Sequence, residues 1–85
     1  MHLLHHSAQA RVAHTLLALA RQFGTEIDRG LVIPLRLSQR DLAGLVGVRL
    51  ETVNAVLHEL RQRGLLEVGP HRMVVLDLKA LAAMC

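Results

Sequence analysis

The sequence predicts a small α+β domain, mainly helical, in which a three-helix core is followed by an antiparallel β-hairpin. Three observations carry that prediction. Two amphipathic segments meet at Gly47 with almost no chain between them. A Ser38/Asp41 pair marks where the first of them begins. After Gly64 the apolar pattern changes from helical spacing to two short strand-like runs, and such a change of period marks a change of element.

In chain order, Val12, Ala13, Leu16, Leu17 and Ala20 recur at helical spacing, which predicts a helix from about Ser7 to Phe23. Gly24 is expected at its C-terminal end in the left-handed conformation. Thr25 to Gly30 reads as polar and turn-like. Leu31 to Leu37 reads as extended, and Pro34 restricts it to an edge strand or an arm. Ser38 then caps a second helix, with Asp41 three residues on in a variant of the capping box. Leu42, Ala43, Leu45 and Val46 supply its apolar face. A third helix is expected from about Leu50 to Arg63, ending at Gly64. At about 100° per residue, Val53, Val56, Leu57 and Leu60 share one arc, while Glu51, Asn54, Ala55, His58, Arg61 and Gln62 share the opposite one. Leu65–Val68 and Met73–Leu76, joined by Gly69-Pro70-His71-Arg72, read as a hairpin. Asp77 caps a last short helix carrying Leu78, Leu81 and Ala82. Two helices joined tightly and followed by a hairpin make a winged helix-turn-helix, with residues 38–63 as the helix-turn-helix and 65–76 as the wing of a single domain spanning 1–85.

Composition narrows the function. The 85 residues are 52% apolar but hold one aromatic, Phe23. That argues against single-strand and RNA binders that stack bases on aromatic platforms. Ten Lys+Arg against seven Asp+Glu leave a net +3. Every cation except Lys79 is an arginine, the side chain suited to forked contacts with phosphate and guanine. Cys85 stands alone, so no intramolecular disulfide can form, which fits a cytoplasmic chain. The start shows no signal peptide, and no apolar run is long enough for a membrane span. There is no glycine-rich phosphate loop, no zinc-ligand spacing and no nucleophile paired with a base, so neither catalysis nor a cofactor is expected. His2, His5 and His6 lie close together, but no cysteine or carboxylate joins them, and a metal site is not expected.

The run Ser38-Gln39-Arg40-Asp41-Leu42-Ala43-Gly44-Leu45-Val46-Gly47, then Glu51-Thr52-Val53, Leu57, Leu60 and Arg61-Gln62-Arg63-Gly64-Leu65-Leu66 resembles the C-terminal domain of the cyclic-AMP receptor protein and fumarate–nitrate regulator superfamily. Arg11-Val12-Ala13 with Leu16-Leu17 is similar to that domain's first helix, and Val74-Val75-Leu76-Asp77 with Leu81 to its last strand and helix. The resemblance implies a bacterial transcription regulator that binds double-stranded DNA as a homodimer on a pseudo-palindromic operator, with RNA polymerase as a further partner. In that family a sensory domain and a dimerisation helix precede this one. Neither is in the sequence, so residues 1–6 are expected to be a connector tail, and the chain a fragment able to exist as a monomer.

Residue by residue, the resemblance makes Glu51 an acceptor for a cytosine amino group and Thr52 a phosphate contact. Ser38, Gln39 and Arg40 would hold the DNA backbone, together with Arg49, Arg61 and the wing residue Arg72. Three positions depart from the family pattern. Arg49 replaces a small capping residue, Leu50 takes an aliphatic alternative to arginine, and Ala55 stands where a second arginine reads guanine. Alanine can touch only a thymine methyl. Asn54 and His58 share the outward arc and are the expected substitutes, Asn54 by reading adenine and His58 by touching guanine or phosphate. Each has a plainer alternative. Glu51 suits any helical first turn, Leu50 can be edge packing, and Arg40, Arg61 and Arg72 can be solvated charges. A protein–protein module with weakened DNA binding is the alternative function, because Leu50 and Ala55 make the outward face less polar.

Overall fold

The computed structural model describes residues 7–33, 38–69 and 72–85. The expected connector tail with His2, His5 and His6, the Pro34 to Leu37 stretch, and Pro70 and His71 of the wing turn lie outside the described residues.

Ser7 caps the first helix by accepting from the Ala10 N–H at 3.0 Å, and α1 runs Ala8–Phe23. Its Val12, Ala13, Leu16, Leu17 and Ala20 are buried, as the spacing predicts. Gly24 ends it differently from expectation. Its backbone is extended, at φ −71°. A Cβ there would fall 2.2 Å from the Ala20 carbonyl oxygen, so close approach, not handedness, favours glycine.

The segment read as a polar turn and an edge strand forms a hairpin instead. β1 (Thr25–Ile27) and β2 (Gly30–Ile33) pair antiparallel, with Glu26 opposite Leu31. β3 (Leu66–Val68) and β4 (Met73–Val75) form the expected wing hairpin. β2 also pairs with β4, Val32 opposite Val74, so the sheet order is β1-β2-β4-β3. β2 is therefore an interior strand. Pro34 does not prevent this, because a missing N–H affects only its own position, and β2 ends at Ile33. Side chains alternate across the sheet: Ile33, Leu66, Met73 and Val75 join the helical core, while Val32 and Val74 do not.

α2 (Gln39–Val46) and α3 (Leu50–Gln62) pack on α1 and on each other. Leu42, Ala43 and Val46 of α2 and Val53, Val56, Leu57 and Leu60 of α3 complete the core. Leu45 does not join them. It is 61% exposed, because the buried arc of this short helix is narrower than its apolar content. No polar or charged residue is buried among the described residues. Asp77 caps α4 (Leu78–Ala83) by accepting from the Ala80 N–H at 2.9 Å.

Two glycines with positive φ fix the chain direction. Gly47, at φ 81°, ends α2 with its N–H on the Ala43 carbonyl at 2.8 Å. Gly64, at φ 74°, ends α3 in a Schellman arrangement. Gly64 donates to Arg61 and Leu65 donates to Leu60, both at 3.0 Å. The Leu65 carbonyl then accepts from Leu76 N–H at 2.9 Å, tying the helix end to the residue that follows β4.

Arg11 holds the turn between α2 and α3 from outside. Its guanidinium donates to the Val46 carbonyl, one of the carbonyls left open at the end of a helix, where a cation is favourable. Arg11→Met, which keeps the aliphatic stem, is expected to lower stability by about 1 kcal/mol. A urea titration against the wild type measures it.

Candidate nucleic-acid interface

The start of α2 is built by a complete capping box. Ser38 Oγ accepts from Asp41 N–H at 3.0 Å, and Asp41 Oδ2 accepts from Ser38 N–H at 3.2 Å. The Ser38 hydroxyl proton stays available to donate. The Gln39 and Arg40 N–H groups have no acceptor within the helix, as helix geometry requires of a first turn. Both side chains are exposed. Such a helix start favours an anion, although the Asp41 carboxylate beside it opposes one.

Arg49 occupies the cap position of α3 with extended backbone and makes no side-chain cap hydrogen bond. Its exposed guanidinium is thus not used to close the helix. Beyond it, Glu51, Asn54, Ala55, His58, Arg61 and Gln62 are all exposed, while the opposite side of α3 is buried. Leu50 and Thr52 are half-buried at the margins of that strip. The structure therefore brings Glu51, Asn54, Ala55, His58 and Arg61 onto one face. Ser38, Gln39 and Arg40 stand on a separate element, and Arg72 on the wing.

The arginines near the end of α3 differ. Arg63 is held by Glu59, Nε to Oε2, at 2.7 Å. Arg61 has no ion-pair partner among the described residues. In the wing, Gly69 N–H donates to the Arg72 carbonyl at 2.9 Å, and the Arg72 side chain is exposed. A groove of about 390 Å³ lies between α3 and β3, with His58, Arg61 and Gln62 on one side and Leu66, Glu67 and Val68 on the other.

Glu67 is not free in that groove. Arg29, in the turn between β1 and β2, forks onto it, Nε to Oε1 at 3.1 Å and Nη2 to Oε2 at 2.8 Å. The hydrogen bond from Arg29 holds the Glu67 carboxyl below its ordinary range; partial burial works against this, and the charges of Arg29 and Arg72 add to the lowering. Because the folded state holds the proton less tightly, the pair's stabilisation is present above the ordinary carboxyl range and is lost as pH falls through the lowered one. Glu67→Gln is accordingly expected to melt below the wild type at neutral pH, by a few degrees at most for so exposed a pair. The two melting curves should converge at strongly acidic pH.

None of Arg11, Arg29 and Glu67 was a candidate site residue in the sequence, where Arg11 entered only through the likeness of the first helix. Their partners lie 35 residues away for Arg11 and 38 for the ion pair, and no local pattern marks such contacts.

An α2–turn–α3 unit that presents a polar strip of α3, followed by a hairpin docked on its end, defines a winged helix-turn-helix domain. The chain belongs to the family of Crp-like helix-turn-helix domains, whose model matches residues 10–84, and so to the Crp/Fnr superfamily that its sequence resembles. It is 38% identical over 72 residues to the CRP-like cAMP-activated global transcriptional regulator of Mycobacterium tuberculosis, covering 85% of this chain and 32% of that protein. It is 36% identical over 74 residues to the cyclic AMP receptor protein of Thermus thermophilus, covering 87% and 31%. The chain thus spans about a third of the length of these relatives. Among solved structures it is similar to the CO-dependent transcription factor CooA of Carboxydothermus hydrogenoformans, with a TM-score of 0.86 and 26% identity over 96% of this chain and 38% of that one. Reduced CprK matches with a TM-score of 0.86 at 22% identity, covering 93% and 38%, and shows the fold alone. No helix among the described residues is long and apolar enough to cross a membrane.

Proposed function

We propose that this chain binds double-stranded DNA and regulates transcription, with α3 in the major groove and the wing on a neighbouring run of phosphates. One observation carries the reading: α3 is wholly buried on one side and offers the other, with Glu51, Asn54, Ala55, His58 and Arg61, to solvent. In a helix-turn-helix the second helix enters the groove while the first crosses the backbone. Glu51 accepts from a cytosine amino group, Asn54 reads adenine, and Leu50 and Ala55 meet thymine methyls. Ser38, Gln39, Arg40, Arg49, Thr52, Arg61 and Arg72 hold the sugar–phosphate backbone. The names of the relatives support the regulatory role. The complete regulator works in the cytoplasm as a homodimer on a pseudo-palindromic site, with RNA polymerase as a partner.

A salt titration of binding to duplex DNA tests this. Each neutralised phosphate contributes about −0.9 to the slope of log K against log salt. Arg40, Arg49, Arg61 and Arg72 therefore predict a slope of roughly −3 to −4 per bound chain. Arg61→Ala and Arg72→Ala should each flatten it by about one. A second reading, a protein–protein module, is favoured by Leu45, 61% exposed on α2, and by the half-buried Leu50 and exposed Ala55, which make the outward side of α3 less polar. It predicts no DNA binding even at low salt.

A further inference from the structure

His58 stands where a charge change would be felt by a bound duplex. It is exposed on α3, four residues after Asn54 and three before Arg61, and it lines the groove facing β3. The charged groups around that groove are Arg61 on its own helix and Glu67 on β3. Glu67 is already forked onto Arg29. Glu59, next to His58 in sequence, is held by Arg63 at 2.7 Å, and Glu51 lies about two turns back at the helix start. Among the described residues no carboxylate pairs with His58.

An imidazole changes charge between about pH 5 and 8. Neutral, it offers one N–H donor; protonated, it offers two and a positive charge. A nearby anion favours the charged form and a nearby cation disfavours it. Among the described residues, Arg61 is the charged side chain lining the groove that has no ion-pair partner, and Arg72 on the wing acts on Glu67 from nearby. A duplex brings a dense row of negative charge, and its phosphates both attract an imidazolium and neutralise Arg61.

We propose that His58 is a proton-linked DNA contact. Binding takes one proton from solvent onto the imidazole, which then donates to an acceptor of the duplex, a phosphate oxygen or the N7/O6 edge of guanine. The inference rests on α3 being the DNA-reading helix and adds what regulates its affinity. Since the bound state favours the proton, affinity rises as pH falls.

The test uses the 85-residue chain as wild type, His58→Gln and His14→Gln. Each is titrated by fluorescence anisotropy with mixed-sequence duplex DNA at low, constant salt between about pH 8 and 6. Wild type and His14→Gln should gain roughly tenfold in affinity toward the acid end, and His58→Gln should be flat. A flat wild-type profile, or a pH dependence that survives in His58→Gln, overturns the proton-linked contact and leaves DNA binding standing. Failure of the wild type to bind at any pH overturns both. Repeating the titration on individual duplexes separates the acceptors. An equal gain on every sequence assigns phosphate, and a gain confined to guanine-bearing half-sites assigns the base edge.

Discussion

Replacing Leu60 by alanine is expected to remove about 2–5 kcal/mol of stability. Leu60 is 0% exposed and sits on the inward arc of α3 with Val53, Val56 and Leu57. Truncating it removes buried methyl groups and leaves a void between rigid helices that close only in part. At about 0.05–0.15 kcal/mol per residue, an 85-residue chain has roughly 4–13 kcal/mol in total, so this one change removes a large share. Leu45→Ala is the control. Leu45 is 61% exposed, and its truncation should change stability by no more than about 0.5 kcal/mol. Urea denaturation of both variants decides the matter. A Leu45→Ala loss as large as that of Leu60→Ala would mean that α2 buries a different arc.

Ala55→Arg is expected to create a guanine preference at the base that position 55 faces. Ala55 is exposed on the strip that holds Asn54 and His58, and an exposed helical Ala→Arg change costs little. A bidentate arginine–guanine contact is worth about 1–3 kcal/mol of discrimination, or roughly 5- to 150-fold. The added charge also raises affinity for any duplex, so base preference is the quantity to read. Selection of bound sites from a random pool should show guanine enriched at one position of each half-site in Ala55→Arg. An unchanged preference would remove Ala55 from the base-reading face.

The helices were legible in the sequence because their signals are local. Ser38 with Asp41, Gly47 and Gly64 mark ends within a few residues, and α3's buried set follows from its own periodicity. β1 was not legible. Thr25-Glu26-Ile27 offers no alternating run, and it becomes a strand only by pairing with β2. The interior place of β2 was hidden for the same reason, since its partner β4 lies some 40 residues on, while a proline at the end of an apolar run marks an edge strand by itself. Leu45 looked like core because α2 contains more apolar residues than its neighbours can cover. At the interface, exposure of the α3 strip followed from periodicity, but the support for it did not. Arg11 on Val46 and Arg29 on Glu67 are contacts across the fold, invisible to any pattern along the chain.

Leu65 has a consequence for the DNA rather than for the protein. Its N–H is fixed to the end of α3 and its carbonyl to Leu76, just past β4, while β4 is itself locked to β2. Helix and wing therefore form a stiff stencil whose spacing cannot be adjusted at the hairpin's base. Any mismatch with a duplex must be absorbed by the duplex, through bending or a change of groove width. The energy of that deformation depends on base steps the protein never touches, with pyrimidine–purine steps the easiest to kink. Affinity would then vary with sequence between and beside the contacted bases, and the chain would select its sites partly by their flexibility.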